Sequence, residues 1–419
     1  MSKDSKQHIL LVTYYWPPAG GSGVQRWLFF VKYLVALGHK VDVLTVSDPT
    51  SAPKDDSLLS HVPEGVDVYR MPVWEPGRRL YQFASEGQSK MNLFSRSVRW
   101  IRANLFFPDA RCMWIGKGKR WVGRYIKTHK PDWLITTGPP HSVHMIGYAH
   151  RNHPHTRWLA DFRDPWADFF VNQSLPMTRW TRERHHKWEK KVVSAAHQVL
   201  TTTESLKEYY QKWNPQTEVL RNGFEKVLKG ELSTDFTLCY AGSLKANQSA
   251  DVVWKAIESL SISVPEFAQQ TQVHMYGQTD PGLQRKVSAM VPHGLVTWRG
   301  YQSKSVVDGA LASAHVLLFF GNNHANSDKV INAKIFEYMA AGRPVLAIVE
   351  SHGDLSAFVQ KHNLGAVFLF SEKEQILDWL REQFIAYTRG TYPKNTQIDL
   401  AFSRENQTAQ LATLLTQRT

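Results

Sequence analysis

Short apolar runs that end in glycine- or proline-rich loops and then give way to amphipathic stretches recur along this chain, and that rhythm leaves few folds open. Residues 8–15 are apolar, with β-branched and aromatic members, and predict a strand. Trp16-Pro17-Pro18-Ala19-Gly20-Gly21-Ser22-Gly23 predicts a loop, because proline and glycine together interrupt regular structure. Residues 24–37 place Val24, Leu28, Val31, Leu34 and Val35 at helical spacing, and Gly38 supplies the stop. Residues 41–46 return as a buried strand. Such a strand–helix–strand opening implies parallel pairing through a crossover helix.

The same pattern continues with strands at 133–137, 158–162 and 198–202 and a helix over 203–213. A fresh series starts near Phe236, with strands at 236–241, 272–276, 295–299, 315–320 and 345–349. Helices at 250–260, 306–314 and 334–341 interleave with them. The expected class is α/β, as two Rossmann-like doubly wound domains. A length of 419 residues agrees, being too long for one ordinary core. The Arg221-Asn222-Gly223 segment is the expected junction, dividing 1–221 from 222–402. Residues 403–419 are expected as a helix that packs back on the first domain.

Charge is unevenly placed. The net charge is +13, and residues 1–200 hold 29 Lys/Arg against 16 Asp/Glu, so the excess lies there. Residues 78–130 alone carry 13 basic residues against Glu86 and Asp109, interleaved with Phe94, Trp100, Phe106, Phe107, Trp114 and Trp121. Arg96, Arg99 and Arg102 recur at three-residue spacing, which fits one helical stripe. Such a stretch is either a solvated face or a surface for anionic lipid head groups. No nucleic-acid module accompanies the charge, and nucleic acid is not an expected partner. No apolar run is long enough to span a bilayer, and Cys112 and Cys239 offer no disulfide framework, which suits a cytosolic protein. The 18 histidines include no HExxH pattern, and no metal or other resident cofactor is expected.

In open α/β sheets ligands gather at the carboxyl ends of strands. The Gly20-Gly21-Ser22-Gly23 loop precedes a helix whose amino end attracts anions. It approximates a dinucleotide fingerprint, but Arg26 stands where the third glycine would be, which speaks against NAD. Asp161-Phe162-Arg163-Asp164-Pro165-Trp166 puts two carboxylates and a guanidinium at one strand end, either to grip sugar hydroxyls and phosphate or to close the loop with internal salt bridges. His141 occupies the preceding strand-end loop. Lys334 and Glu337, at i and i+3, share a helix face and can address one ligand.

Five segments, in order, resemble glycosyltransferase family 4, the retaining enzymes of the GT-B fold, in which two Rossmann-like domains face each other across a cleft. They are Tyr14–Arg26, Trp158–Trp166, Leu220–Phe224, Tyr240–Leu244 and Lys334–Pro344. The resemblance implies transfer of a sugar, with retention and without a metal, from a UDP- or GDP-linked donor. The acceptor would be a glycan or a polyprenyl-linked molecule in cell-surface polysaccharide synthesis, at the inner face of the membrane. It places donor contacts at Gly242, Ser243, Lys245, Arg299, Lys329, Lys334 and Glu337. Asp161, Arg163 and His141 become the catalytic candidates, with Gly20, Gly21, Ser22, Gly23, Arg26 and Asp164 on the acceptor side. The chain departs from the family where Lys329 replaces the first of two donor-site glutamates and Arg163 replaces a loop histidine. A third departure leaves Ser243 and Lys245 where an Arg and a Lys usually meet the diphosphate. A nucleotide-sugar epimerase, a non-catalytic membrane-associated partner and, least of all, an NAD oxidoreductase are the alternatives.

Overall fold

The computed structural model describes residues 6–49, 54–75, 93–168, 175–323, 330–392 and 398–417. Lys329 and residues 78–92 of the basic stretch lie outside them. The chain forms two compact units, Met1–Asn222 with Arg404–Thr419, and Gly223–Ser403.

The first unit is built on β1 (His8–Thr13), β2 (Lys40–Val46), β3 (Val68–Met71), β4 (Trp133–Gly138), β5 (Arg157–Phe162), β6 (Gln198–Thr201) and β7 (Thr217–Val219). All pair in parallel, in the order β3-β2-β1-β4-β5-β6-β7. Strand alternation sends Leu10, Val12, Leu134 and Ala160 to one buried face and Ile9, Leu11, Ile135 and Leu159 to the other. Both faces are covered, so the central strands read as continuous apolar runs. Edge strands β3 and β7 are short and only partly buried, and their sequences VYRM and TEV carry no such run. Pairing on one side alone explains why neither was expected from pattern.

The closing helix, Arg404–Thr416, belongs to this first unit. Leu411 and Leu415 enter the apolar face shared with Val24, Leu28 and Val31 of the Ser22–Ala36 helix. Trp133 Nε1 and Arg157 Nη2 both donate to the Leu415 carbonyl, at 2.9 and 3.1 Å, satisfying a helix-end acceptor that has no partner within the helix.

The second unit contains β8 (Phe236–Ala241), β9 (Thr271–Tyr276), β10 (Val296–Gly300), β11 (Val316–Phe320), β12 (Val345–Val349) and β13 (Gly365–Leu369), again all parallel, in the order β10-β9-β8-β11-β12-β13. β13 is a partly exposed edge strand that the apolar pattern did not reveal. In each sheet the winding reverses once, between β1 and β4 and between β8 and β11. Crevices at the carboxyl ends of these strands are where such sheets hold ligands.

Across the first switch point runs a buried ion pair. Arg26 Nε and Nη2 reach the two oxygens of Asp161 at 3.3 and 3.0 Å, and the Asp161 side chain has no exposed surface. Arg26 also donates to the Leu220 carbonyl at 2.8 Å and to Asn222 Oδ1 at 3.1 Å. Breaking such a pair from one side strands a charge in the core and costs about 3–5 kcal/mol. Arg26→Met is expected to lower the unfolding free energy by about that amount in urea titrations. The loss in Arg26→Met/Asp161→Leu should fall well short of the sum of the two single losses; additive losses would show that the side chains do not act as a pair.

Candidate functional site

The loop after β1 turns sharply into the Ser22–Ala36 helix. Gly21 sits at the helix entry with φ 98°, a conformation that side chains with a Cβ rarely adopt. Gly23 is required for a different reason. A Cβ there would lie 2.5 Å from Arg163 Nη1, which donates to the Gly23 carbonyl at 2.8 Å. Gly20 is buried beside Ala19, so the loop's small residues serve internal packing as well as any ligand.

The strand-end hexapeptide of β5 divides into residues with separate tasks. Asp161, a catalytic candidate from sequence, is fully enclosed. Beyond Arg26, its carboxylate accepts from Trp27 Nε1 at 2.6 Å and Thr137 Oγ1 at 2.8 Å. Both oxygens are engaged within the core, the internal salt-bridge arrangement that the sequence also allowed. Arg163 likewise spends donors on backbone: Nε on the Gly138 carbonyl at 3.1 Å, Nη1 on Gly23 and Nη2 on Pro139. It thereby clamps the loop after β4 to the glycine loop. Asp164 is half-buried beside it, its carboxyl pushed upward by burial against the pull of the Arg163 guanidinium.

His141 lies at the carboxyl end of β4, its ring parallel to Trp166 with centroids 5.2 Å apart. Its nitrogens reach no hydrogen bond of good geometry, the Pro165 backbone offering only a weak one. Burial, with His144, His185 and Arg163 nearby, holds His141 neutral well below its usual range. His144 accompanies it. Its Nδ1 meets Thr136 Oγ1 at 2.9 Å, Thr136 in turn accepts from Trp158 Nε1, and burial lowers its pKa to about 3. A Cβ on Gly138 would sit 2.7 Å from His144 Nε2 and 3.1 Å from His141 Nδ1, so glycine lets the two rings converge. His141 is therefore a neutral hydrogen-bonding group.

The second unit has its own constellation at the β8/β11 switch point. Gly242 follows β8 with φ 131°, and Gly277 follows β9 so closely that a Cβ on it would meet the Gly242 carbonyl oxygen at 2.3 Å. This backbone-on-backbone contact holds the turn open above Lys334, whose Nζ lies 2.8 Å from where a Gly242 Cβ would be. Lys334 donates to Tyr240 Oη at 3.0 Å and stands 4.4 Å above that ring. Glu337, on the next turn, gives its carboxylate to Lys304 at 3.2 Å instead. Desolvation outweighs the pull of Glu337, and the Lys334 ammonium has its pKa lowered to about 8. An enclosed cation hydrogen-bonded to a phenol is a ready counter-charge for an anion.

Of the other expected donor residues, Ser243, Lys245 and Arg299 are exposed at the ends of β8 and β10. Close by, between the carboxyl ends of β11 and β12, a small open cleft is lined by Gln248, Phe320, Asn322, Asn332, Glu350 and Ser351 among others. None of these polar residues was singled out from sequence, because they lie in loops without a spacing signal. Asn332 ties the cleft to Lys334 by accepting its backbone N–H at 3.1 Å. Among the described residues no group of three or more His, Cys, Asp or Glu side chains is arranged to hold a metal ion.

Lys334 is an ammonium below its pKa, and only that form attracts an anion. Inorganic diphosphate is therefore expected to lose affinity as pH rises above about 8, by up to ~10-fold per pH unit. Calorimetry on Lys334→Met should show weak binding without that slope. A slope that persisted in the variant would assign it to another group.

Two family models match the chain: a glycosyl transferase 4-like domain over residues 20–223 and glycosyl transferases group 1 over residues 235–381. No curated protein sequence matches it significantly. Among solved structures, it is similar to sucrose-phosphate synthase from Thermosynechococcus elongatus, with a TM-score of 0.66 at 15% identity over 98% of both chains. It is similar also to WaaG, a glycosyltransferase involved in lipopolysaccharide biosynthesis, with a TM-score of 0.57 at 16% identity over 98% of this chain and 100% of that one. A putative UDP-N-acetylglucosamine 2-epimerase from Listeria monocytogenes shares the fold at 10% identity and a TM-score of 0.58, over 97% of this chain and 95% of that one. These likenesses establish the GT-B fold, and the two family matches, spanning both units in order, establish the rest: the chain belongs to the glycosyltransferase 4-like, group 1 glycosyltransferases.

Proposed function

We propose that this glycosyltransferase moves a sugar, with retention and without a metal ion, from a UDP- or GDP-linked donor to a glycan or polyprenyl-linked acceptor. The observation that carries the donor half is Lys334. It is an enclosed ammonium beneath the Gly242 turn, at the switch point of its sheet, with the nearby carboxylate of Glu337 committed to Lys304. A diphosphate there would complete the charge balance, and the same contact would stabilise the leaving group as the glycosidic bond breaks. The adjoining cleft, with its amides and Glu350, offers acceptors and donors for ribose or sugar hydroxyls.

The acceptor half rests on the loops of the first unit. With Asp161 and Arg163 committed to the scaffold, neutral His141 and the partly buried Asp164 are the polar groups left to meet an incoming hydroxyl. The family resemblance implies front-face attack, a retaining route that needs no covalent nucleophile. WaaG's part in lipopolysaccharide biosynthesis supports a role in cell-surface polysaccharide synthesis. Work at the cytoplasmic face of the membrane follows from a lipid-linked acceptor and is part of the same proposal. Among the described residues no helix is long and apolar enough to cross a membrane.

The epimerase reading has the shared fold in its favour, whereas both family matches favour transfer. Incubation with a panel of UDP- and GDP-sugars separates them. Release of nucleotide diphosphate that depends on a polyprenyl-linked or glycan acceptor, with full rate in excess EDTA, is the expected result. An epimerised nucleotide sugar formed without acceptor would replace this reading. Lys334→Met is expected to lower kcat/KM by about 10²–10³, as the loss of one preorganised charge contact does. An unchanged kcat/KM would remove Lys334 from the leaving-group site.

A further inference from the structure

Two helices of the first unit, Leu93–Leu105 and Arg179–Ala195, meet at a surface that the core does not account for. Asn104 knots them together. Its Nδ2 donates to the Pro176 carbonyl at 3.0 Å, and its Oδ1 accepts from Thr178 N and Thr181 Oγ1, both at 2.8 Å. Beside that knot stand large apolar side chains in solvent: Leu105 is 66% exposed, Trp180 65%, Trp100 45% and Ile101 43%. Arg184 spans the junction, its guanidinium 3.9 Å over the Phe107 ring and 5.3 Å over Trp180.

The charge around this patch is nearly all of one sign. Residues 93–105 and 179–187 hold seven basic residues and one acid, Glu183, which Arg179 already pairs at 2.8 Å. Arg96, Arg179, Arg182 and Lys187 are exposed. Three other aromatics of the basic stretch pack within the unit. Trp114 is fully buried, Trp121 stacks on Tyr125 at 5.0 Å, and Phe107 packs on His185 at 4.9 Å. The exposed apolar side chains therefore come from both helices, Trp100, Ile101 and Leu105 from one and Trp180 from the other, which lies far away in sequence.

A cluster of exposed apolar side chains ringed by cations marks an interaction surface. Tryptophan is suited to the zone between hydrocarbon and water, since its ring is apolar and its N–H is not. Guanidinium groups match phosphate in a two-pronged geometry. A phospholipid surface supplies both partners in one plane, phosphate outside and acyl chain beneath, as amphipathic surface helices require.

We propose that the Trp100–Ile101–Leu105–Trp180 patch, with its arginine rim, docks the chain onto an anionic phospholipid bilayer. The proposal gives the lipid-linked acceptor of the transfer reading its route to the enzyme. It needs neither donor nor turnover, so it stands or falls separately from that reading.

Flotation of the full chain with phosphatidylcholine vesicles, with and without phosphatidylglycerol, tests it at low and high salt. Binding to the anionic vesicles alone, lost at high salt, is expected because screening shortens each charge contact. Arg96→Glu/Arg182→Glu is expected to lower partitioning by about 25-fold or more. Trp100→Ser/Trp180→Ser, with every charge retained, is expected to lower it ~10-fold or more. Thermal melting should stay as in the wild type, because all four side chains substituted are exposed. Wild type that ignores anionic vesicles, or a tryptophan variant that floats like wild type, would overturn the proposal. Self-association that the tryptophan substitutions abolish, in place of vesicle binding, would assign the patch to a second copy of the chain.

Discussion

One buried carboxylate organises the loops of the first unit. Asp161 ends β5, Thr137 lies on β4, Arg26 and Trp27 belong to the helix after β1, and Arg26 continues to Leu220 and Asn222 beyond β7. Four chain segments are thus gathered onto one charge pair that has almost no solvent to fall back on. Because an unpaired charge in that position is so costly, each segment's register is specified by the need to complete the network. The clamp by Arg163 then builds on it, since the Gly23 carbonyl and the Gly138 carbonyl must already stand where the guanidinium can span them.

The second unit handles charge in the opposite way. Its central lysine is enclosed by a phenol, a glycine turn and aromatic rings, with the carboxylate on its own helix committed to Lys304. The close contact between Gly242 and Gly277 clears the space above it. Internal saturation in the first unit and a cation held by a phenol in the second fit different physical tasks. Saturation holds loops in place, whereas a cation that meets a phenol and no bonded carboxylate among the described residues suits the proposed anion.

How much of this the sequence disclosed depended on the range of the interaction concerned. The glycine loop, the β5 hexapeptide and the Lys334 helix were legible because each is a contiguous motif at the end of an apolar run. The roles within the hexapeptide were not. Asp161 and Asp164 look alike in composition, yet Asp161 falls inside the strand and Asp164 beyond its end. That position within the apolar run Trp158-Leu159-Ala160-Asp161-Phe162 was the available signal that its carboxylate would face a covered side of the sheet. Gln248, Asn332 and Glu350 left no such trace, and β3, β7 and β13 were hidden because edge strands need no continuous apolar run.

By itself the sequence determined the central strands of the two parallel sheets and the loops at their carboxyl ends, because periodicity and turn chemistry are local. The tertiary structure decided which charges meet. Arg26 and Asp161 are 135 residues apart and come together because β1 lies beside β4 and β4 beside β5. The helices that carry Trp100 and Trp180 are joined through Asn104 in the same way. Such encounters are set by strand order and helix packing, and no spacing along the chain encodes them, so a residue's chemistry was readable from sequence while its partner was not.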